Sequence, residues 1–155
     1  SEQADFEKYK VSRTNKSGVE FLRQQFPNRK VYAFELNKSD DDAHQNALHL
    51  DCCFQPIGLD QAIIYKGGFK KVEDYNFLVD LFGADNVIEI TGEEMYQMNS
   101  NVFSISPQVI VSDASFKRLN QELRARGFIV EEVDYMEVGK MEGLFRCSTM
   151  PIIRD

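Results

Sequence analysis

A polar segment near the carboxyl end of the chain carries a cysteine that could act as a nucleophile. Cys147 directly follows Arg146, within the sequence Phe-Arg-Cys-Ser-Thr-Met-Pro of residues 145–151. A cysteine attacks carbon as its thiolate, which needs solvent access and a nearby positive charge, from Arg146 or from a cationic substrate. A single cysteine in an alternating segment is more often an inert core thiol, so both interpretations stay open on this residue alone.

A histidine and an aspartate stand two positions apart in the middle of the chain. In a strand, the spacing of His49 and Asp51 places both side chains on the same face. Together they could protonate a leaving group and hold a cation, and the alternative is a surface histidine beside a surface aspartate. His44, Cys52 and Cys53 lie nearby, but their spacing matches no familiar zinc pattern, so we predict no metal site.

An arginine near the amino end stands where a helix is expected to begin. Thr14 and Asn15 suit a turn and a helix cap, but capping does not require Arg13. A guanidinium group can bind a substrate carboxylate through two parallel hydrogen bonds, and the alternative is an ordinary surface arginine. The chain has no P-loop, no G-x-G-x-x-G and no G-x-S-x-G sequence, so we predict no cofactor.

Hydrophobic periodicity predicts the elements that position these residues. The helices are residues 17–26, residues 72–82, and a third that Asp113 or Ser115 caps and that ends before Gly127. The predicted strands are residues 30–36, 49–54, 62–65, 86–90, 101–106, 108–111, 128–133 and 145–152.

The predicted elements repeat along the chain. The order strand, strand, helix, strand occurs twice, a shorter copy of strand, helix, strand precedes it, and one strand closes the chain. Repetition of supersecondary units indicates a radial or solenoid α/β architecture. An ordinary α/β sandwich fits the periodicity equally well.

Composition excludes several classes of protein. Eighteen basic and 25 acidic residues give the 155-residue chain a net charge of −7, which argues against nucleic-acid binding. No apolar run approaches the roughly 20 residues of a membrane helix. Three cysteines, two of them adjacent, do not fit a disulfide framework and predict a reducing, cytoplasmic setting. The acidic run at residues 40–42 is either a solvated loop or a lip that attracts a cation.

Four segments, in order along the chain, carry a resemblance to a known superfamily. They are Ser-Arg-Thr-Asn at 12–15, Leu-His-Leu-Asp at 48–51, Asn-Val-Phe-Ser-Ile at 101–105, and Met-Glu-Gly-Leu-Phe-Arg-Cys at 141–147 with Met-Pro at 150–151. Together they resemble the guanidino-group-modifying enzymes, the pentein superfamily of arginine deiminases, dimethylarginine dimethylaminohydrolases and amidinotransferases. The resemblance implies an α/β propeller of ββαβ modules, of which this chain would supply the C-terminal three of five.

The resemblance also implies a role for each candidate residue. Cys147 matches the nucleophile that forms a covalent thiouronium-type intermediate, His49 the acid and base, and Asp51 the carboxylate that binds the guanidinium group. Arg13 matches the residue that binds the substrate α-carboxylate. Met141 matches a position whose backbone carbonyl receives the α-amino group. Because methylarginine hydrolases often lack an acid at the position of Asp51, the resemblance favours an unmethylated guanidine.

The implied function is that of a hydrolase or deiminase. Its substrate would be arginine or a close derivative, and its products a citrulline-type compound and ammonia or an amine. Two alternatives stay open, an amidinotransferase that uses an amine acceptor and a non-catalytic binding protein on the same fold.

One departure from the family concerns the amino end. The family carries acidic residues and a Gly-Gly-Asp-like segment before the first motif, where this chain has only residues 1–11. We expect residues 1–155 to be a single C-terminal portion of a pentein catalytic domain, with residues 1–10 as a non-native join or left unassigned. The expected partners are a small guanidine substrate and either a second copy or a second chain with the missing N-terminal modules, but no nucleic acid and no membrane.

Overall fold

The computed structural model describes residues 13–153, so the expected join at residues 1–10 and Ser12 of the first motif lie outside the described residues. The helices of the described part are α1 (Lys16–Gln25), α2 (Val72–Phe82), α3 (Gly92–Tyr96), α4 (Lys117–Ala125), α5 (Met136–Gly139) and α6 (Phe145–Ser148). Its strands are β1 (Phe54–Ile57), β2 (Gln61–Ile64), β3 (Val87–Glu89), β4 (Phe103–Ser104), β5 (Val109–Asp113) and β6 (Ile129–Val133). Within residues 13–153, no helix has the length and apolar character to cross a membrane.

The order strand, strand, helix, strand occurs twice, as predicted. One sheet has the order β1-β2-β3, with α2 between β2 and β3, and the second has the order β4-β5-β6, with α4 between β5 and β6. In each sheet the first pair is antiparallel and the helix-connected pair is parallel. We call residues 54–89 the first module and residues 103–133 the second module.

A shared hydrophobic core joins the two modules. Ile63 of β2 and Ile110 of β5, on the central strand of each sheet, are fully buried in the same cluster as Leu119 of α4. Leu144 and Phe145 belong to this cluster too. Burial of these side chains therefore fixes the segment that carries the candidate nucleophile against both sheets.

Local sequence signals place three helix ends correctly. Asn15 caps α1 by accepting a hydrogen bond from the backbone N–H of Gly18 at 2.9 Å. α2 ends at Gly83, where φ is 83°, and Gly127, where φ is 90°, follows α4. Glycine adopts such left-handed conformations without a Cβ clash, so the chain can turn directly from each helix towards the next strand.

The predicted strand at residues 30–36 is wrong. Of this segment, only Leu36 forms a β-bridge with another described residue, Phe69. The Phe34 ring packs 6.2 Å from the rings of Phe69 and Phe77. The apolar alternation therefore serves packing, because no strand pairs along this segment within the described residues.

The structure has two complete modules in an α/β fold, and the closed propeller with three of five modules stays a prediction.

Two predicted strands beside the candidate residues are wrong as well. Within residues 49–54, Leu50–Cys52 is a 3-10 turn and the strand begins only at Phe54. Within residues 145–152, Phe145–Ser148 is helix α6. In both places a distant polar side chain forms hydrogen bonds with the backbone.

The predicted cap of α4 has a different role. Among the residues that the structure describes, no side chain caps α4, which follows Phe116. Asp113 accepts hydrogen bonds from Ser115 and, at 2.8 Å, from the backbone N–H of Tyr135. Burial acts to raise the pKa of Asp113, but these hydrogen bonds outweigh it and hold the pKa below its ordinary value. The carboxylate thus fixes the turn that leads from β6 into α5.

Arg118 of α4 and Arg126, which directly follows α4, attach the second module to the outer strand of the first. Arg126 donates to the carbonyl of Val87 at 3.2 Å. Arg118 donates to the carbonyl of Glu89 at 3.2 Å and binds both carboxylate oxygens of Glu94 at 2.6 Å. Because β3 is an edge strand of its sheet, guanidinium groups take the place of a further strand on these carbonyls.

Replacing Arg126 with alanine is expected to lower the free energy of unfolding by about 2–3 kcal/mol. The change removes charged hydrogen bonds to the carbonyl oxygens of Asp85, at 2.7 Å, and Val87. Urea denaturation followed by circular dichroism measures the effect. The matched control is Lys140→Ala, which removes an exposed ion pair and should cost less than about 0.5 kcal/mol. Equal losses in the two variants would contradict a special role for Arg126.

Candidate active site

The fold brings Cys147 and Asp51 together although 96 positions separate them. The Sγ atom of Cys147, on α6, lies 3.7 Å from Oδ2 of Asp51, in the 3-10 turn Leu50–Cys52. The Cys147 thiol is free and exposed. An exposed thiol beside a carboxylate can attack the carbon of a ligand that the carboxylate attracts, provided that the ligand is cationic.

Asn101 holds the turn that carries Cys147. Its buried Oδ1 atom accepts three backbone hydrogen bonds, from Leu144 at 3.1 Å, Arg146 at 3.0 Å and Cys147 at 3.3 Å. Its Nδ2 atom lies 3.1 Å from Sγ of Cys147. The side chain satisfies N–H groups at the start of α6, which is why this segment turns instead of extending as a strand.

Ser100 holds the turn that carries Asp51. Its hydroxyl group lies 2.9 Å from the carbonyl oxygen of Asp51 and 2.7 Å from that of Cys52. Because Ser100 and Asn101 are adjacent, they hold the Asp51 turn and the start of α6 close to each other. The sequence interpretation missed both roles, although a polar run directly before an apolar strand was a usable signal.

The Asp51 carboxylate has an unused acceptor. Its Oδ1 atom is buried and makes no hydrogen bond with any described residue. A buried carboxylate oxygen without a donor is costly and uncommon in folded proteins. The carboxylate beside the exposed sulfur of Cys147 thus keeps acceptor capacity at Oδ1 that no described donor uses.

His49 directly precedes the same turn, and its side chain forms no hydrogen bond with Cys147 or Asp51. It precedes the 3-10 turn as its N-cap residue, its side chain is exposed, and its imidazole makes no hydrogen bond with a described residue. The expected arrangement of His49 and Asp51 on one face of a strand is wrong, because the backbone between them turns. Within residues 13–153, no group of three or more His, Cys, Asp or Glu is placed to hold a metal ion.

The two predicted substrate-binding residues make no hydrogen bond with the thiol within the described part of the chain. Arg13 is exposed, close enough to Lys38 for its charge to act there: burial lowers the pKa of Lys38 and the charge of Arg13 lowers it further. Lys38 in turn donates to the carbonyl of Leu48. Met141 is 83% exposed between α5 and α6. No hydrogen bond within the described part of the chain links Arg13 or Met141 to Cys147.

A family comparison decides the relationship that the motifs suggested. The model of the family described as "N,N dimethylarginine dimethylhydrolase, eukaryotic" matches residues 9–154. The chain belongs to this family. Membership in this dimethylhydrolase family confirms the predicted guanidino-group-modifying superfamily.

Curated relatives of this dimethylhydrolase-family chain are longer than it is. Uncharacterized protein YkgA of Bacillus subtilis (strain 168) is 32% identical over 142 residues, which cover 92% of this chain and 46% of the relative. Uncharacterized protein ZK1307.1 of Caenorhabditis elegans is 30% identical over 108 residues, which cover 70% and 38%. The chain thus spans about half the length of these relatives, or less.

Solved structures share the fold of the dimethylhydrolase-family chain. The N-terminal domain of ArgZ, solved with a covalently bound reaction intermediate, aligns with 86% of this chain and 46% of its own at 18% identity and a TM-score of 0.72. ArgZ is an arginine dihydrolase from the ornithine-ammonia cycle in cyanobacteria. SxtG of Microseira wollei, an amidinotransferase in saxitoxin biosynthesis, aligns with 91% of this chain and 42% of its own at 16% identity and a TM-score of 0.67.

The three thiols of the dimethylhydrolase-family chain differ in environment. Cys53 is buried, as expected for one member of the adjacent pair, and Cys52 is half-buried. Burial raises the pKa of both, strongly so for Cys53. A Cβ atom at Gly68 would lie 2.4 Å from Cβ of Cys53, so Cys53 is closely packed. Cys147 is therefore the one thiol among the described residues that is both free and exposed.

The backbone before Cys147 is closely packed as well. A Cβ atom at Gly143 would lie 2.8 Å from Cβ of Cys147, closer than side chains approach without movement. Glu142 adopts a left-handed conformation with φ 63°, which is uncommon for a residue other than glycine. These constraints fix the direction from which the chain enters α6.

His44, which the sequence places in a polar loop, helps to hold the chain segment that leads to His49. Its ring stacks on Tyr96 of α3 at 4.0 Å, and its Nε2 atom lies 3.4 Å from Oε2 of Glu93. Asp42, from the acidic run, caps the turn Ala43–Gln45 by accepting from the backbone N–H of His44 at 2.9 Å. The loop that leads to the Asp51 turn thus packs against α3.

Proposed function

We propose that the protein is a C–N hydrolase of a guanidino compound, with Cys147 as the nucleophile and Asp51 as the group that binds the guanidinium. One observation carries the proposal: the exposed thiol lies 3.7 Å from a carboxylate whose other oxygen is buried without a donor. A guanidinium group supplies N–H donors to the carboxylate and an electrophilic carbon to the sulfur. Membership in a family of guanidine-modifying enzymes supports the same chemistry.

In the proposed reaction, the thiolate of Cys147 attacks the guanidinium carbon and a C–S bond forms. The departing nitrogen takes a proton from His49 as its C–N bond breaks, which leaves a covalent thiouronium-type intermediate. Water then transfers one proton to His49 and attacks the same carbon. Cleavage of the C–S bond returns the thiolate, and the remaining hydroxyl proton passes to the solvent as the ureido carbonyl forms. Overall, a guanidine and water give a ureido product and ammonia. An amine takes the place of ammonia if the departing nitrogen is alkylated.

The imidazole of His49 has the freedom that this role needs. It is exposed, two positions from Asp51, and not held by hydrogen bonds to described residues. Catalytic contacts of this kind often tighten only when substrate is bound. Arg13 would bind the α-carboxylate of an amino-acid substrate, and the backbone carbonyl of Met141 its α-amino group. Both assignments rest on the motifs of the family and not on a contact to Cys147.

The setting and partners are part of the proposal. Three free thiols fit a reducing, cytoplasmic compartment. Because the chain spans 46% of its Bacillus relative, we infer that further modules, in the same or a second chain, complete the substrate site. A homodimer is the alternative way to supply them.

The direct test is product formation by the gene product that contains this sequence. L-arginine, monomethyl- and dimethylarginine and agmatine are each supplied, with citrulline-type product, ammonia and amine measured by mass spectrometry. We expect turnover of at least one substrate without added metal or nucleotide. Adding glycine separates hydrolysis from amidinotransfer, because water and amine compete for one intermediate. Absence of turnover with every substrate, together with equal labelling of all three thiols, would instead support a binding protein.

A further inference from the structure

We propose that Asn101 stabilises the thiolate of Cys147 through its side-chain amide, in addition to holding the cysteine in position. The proposal rests on the proposed function in one respect, that Cys147 is the reactive group. It adds a positioning residue that touches the sulfur and acts on its charge in the opposite direction to Asp51.

The hydrogen bonds of Asn101 fix which atom of its amide faces the sulfur. Three backbone N–H groups, of Leu144, Arg146 and Cys147, converge on one end of the amide within 3.0–3.3 Å. An N–H group can only donate, so this end must be the oxygen. The NH₂ group is therefore the end that lies 3.1 Å from Sγ.

Asn101 is held rigidly enough to keep this contact. The residue is 3% exposed, and its backbone N–H donates to the carbonyl of Met98 at 2.8 Å. Met98 has a left-handed φ of 63°, so the chain turns tightly just before the asparagine. Glu94 anchors this turn from α3, because its carbonyl accepts from Asn99 at 2.9 Å and its carboxylate is bound by Arg118.

The contact favours the charged form of the sulfur. A donor N–H stabilises a thiolate more than a thiol, because the thiolate carries the negative charge that the donor attracts. Three donors on the amide oxygen polarise the group and strengthen the NH₂ donor. Asp51 acts in the opposite direction, since a carboxylate 3.7 Å from sulfur repels a thiolate. Within residues 13–153, Asn101 is the donor to Sγ that counters this repulsion.

Asn101→Asp keeps the positional role of the side chain and reverses its electrostatic role at the sulfur. Aspartate has the same shape and can accept the three backbone hydrogen bonds, so α6 keeps its anchor. It offers a carboxylate oxygen to the sulfur in place of an NH₂ donor. Asn76→Asp is the matched control, because Asn76 is exposed on α2 and the charge change is identical.

The measurement is the pH dependence of Cys147 alkylation by iodoacetamide, read at the peptide level. In Asn101→Asp we expect the midpoint to rise by about one pH unit or more, so that labelling at pH 7 slows about tenfold. The rate at high pH, where all thiol is ionised, should equal that of the wild type. Asn76→Asp should leave the profile unchanged. An unshifted midpoint in a folded Asn101→Asp protein overturns the proposal.

A measurement on the unaltered protein covers the case in which Asn101→Asp does not fold. The side-chain NH₂ resonances of Asn101 in an ¹⁵N NMR spectrum should titrate with the same midpoint as Cys147 labelling, and those of Asn76 should not. Resonances of Asn101 that ignore the thiol titration would overturn the proposal. Neither experiment uses a guanidine substrate, so a shifted profile without turnover refutes the proposed reaction and leaves the role of Asn101 intact.

Discussion

Replacement of Cys147 by serine is expected to reduce guanidine turnover by about 10⁴-fold or more. A serine hydroxyl is not ionised at neutral pH, and Asp51 beside it would not favour an alkoxide. Serine is nearly the same size and can keep the contact with Asn101, so the fold should be retained. The measurement is kcat/KM with the best substrate, together with thermal unfolding of both proteins.

The matched control is Cys52→Ser, the same chemical change on the neighbouring turn. Cys52 is half-buried and burial raises its pKa, so it has little thiolate at neutral pH. We expect its replacement to leave turnover within about twofold. A haloacetamidine should label Cys147 much faster than Cys52 or Cys53, and excess substrate should protect it. Full activity of Cys147→Ser would refute covalent catalysis by this residue.

Replacement of Asp51 by asparagine is expected to lower kcat/KM by about 10³-fold. The change removes the charge that would pair with the guanidinium but preserves the shape of the side chain. The backbone carbonyl of Asp51, which binds Ser100, is unaffected, so the turn should persist. Steady-state kinetics measure the effect. The control is Asp60→Asn in the exposed turn between β1 and β2, which should be near neutral.

The Asp51→Asn variant has a second signature that a merely unfolded site would not show. Removing a negative charge 3.7 Å from Sγ favours the thiolate, so alkylation of Cys147 by neutral iodoacetamide should become about 3–10 times faster. Labelling by a cationic haloacetamidine should slow, because the carboxylate no longer attracts it. Parallel changes with both reagents would contradict an electrostatic role for Asp51.

The sequence predicted the elements whose signals are local. Both ends of helix α2 were predicted correctly, because its apolar period stops at Gly83. The two strands that flank α2 were predicted from short apolar runs. Both ββαβ units were predicted in the correct order for the same reason. Cys147 and Asp51 were singled out by their chemistry and by the motifs, and the fold brings them within 3.7 Å.

Two of the failures occur where a distant side chain determines the backbone. Residues 145–152 alternate like a strand, but Asn101, more than 40 positions earlier, binds the N–H groups that start α6. The Asp51 turn likewise depends on Ser100, which lies 49 positions away. Windows of a few residues contain neither partner, so periodicity assigns both segments as strands. The same reasoning explains why the shared face expected for His49 and Asp51 was wrong.

The arginine-covered strand β3 has a consequence for the behaviour of the protein at high concentration. An uncovered edge strand offers its carbonyl groups to a strand of another molecule, which is a common start of aggregation. Here Arg126 and Arg118 already bind the carbonyls of Val87 and Glu89, and their charge disfavours an incoming apolar strand. The contacts that attach the second module to the first therefore also protect the β3 edge of the first sheet from intermolecular strand addition.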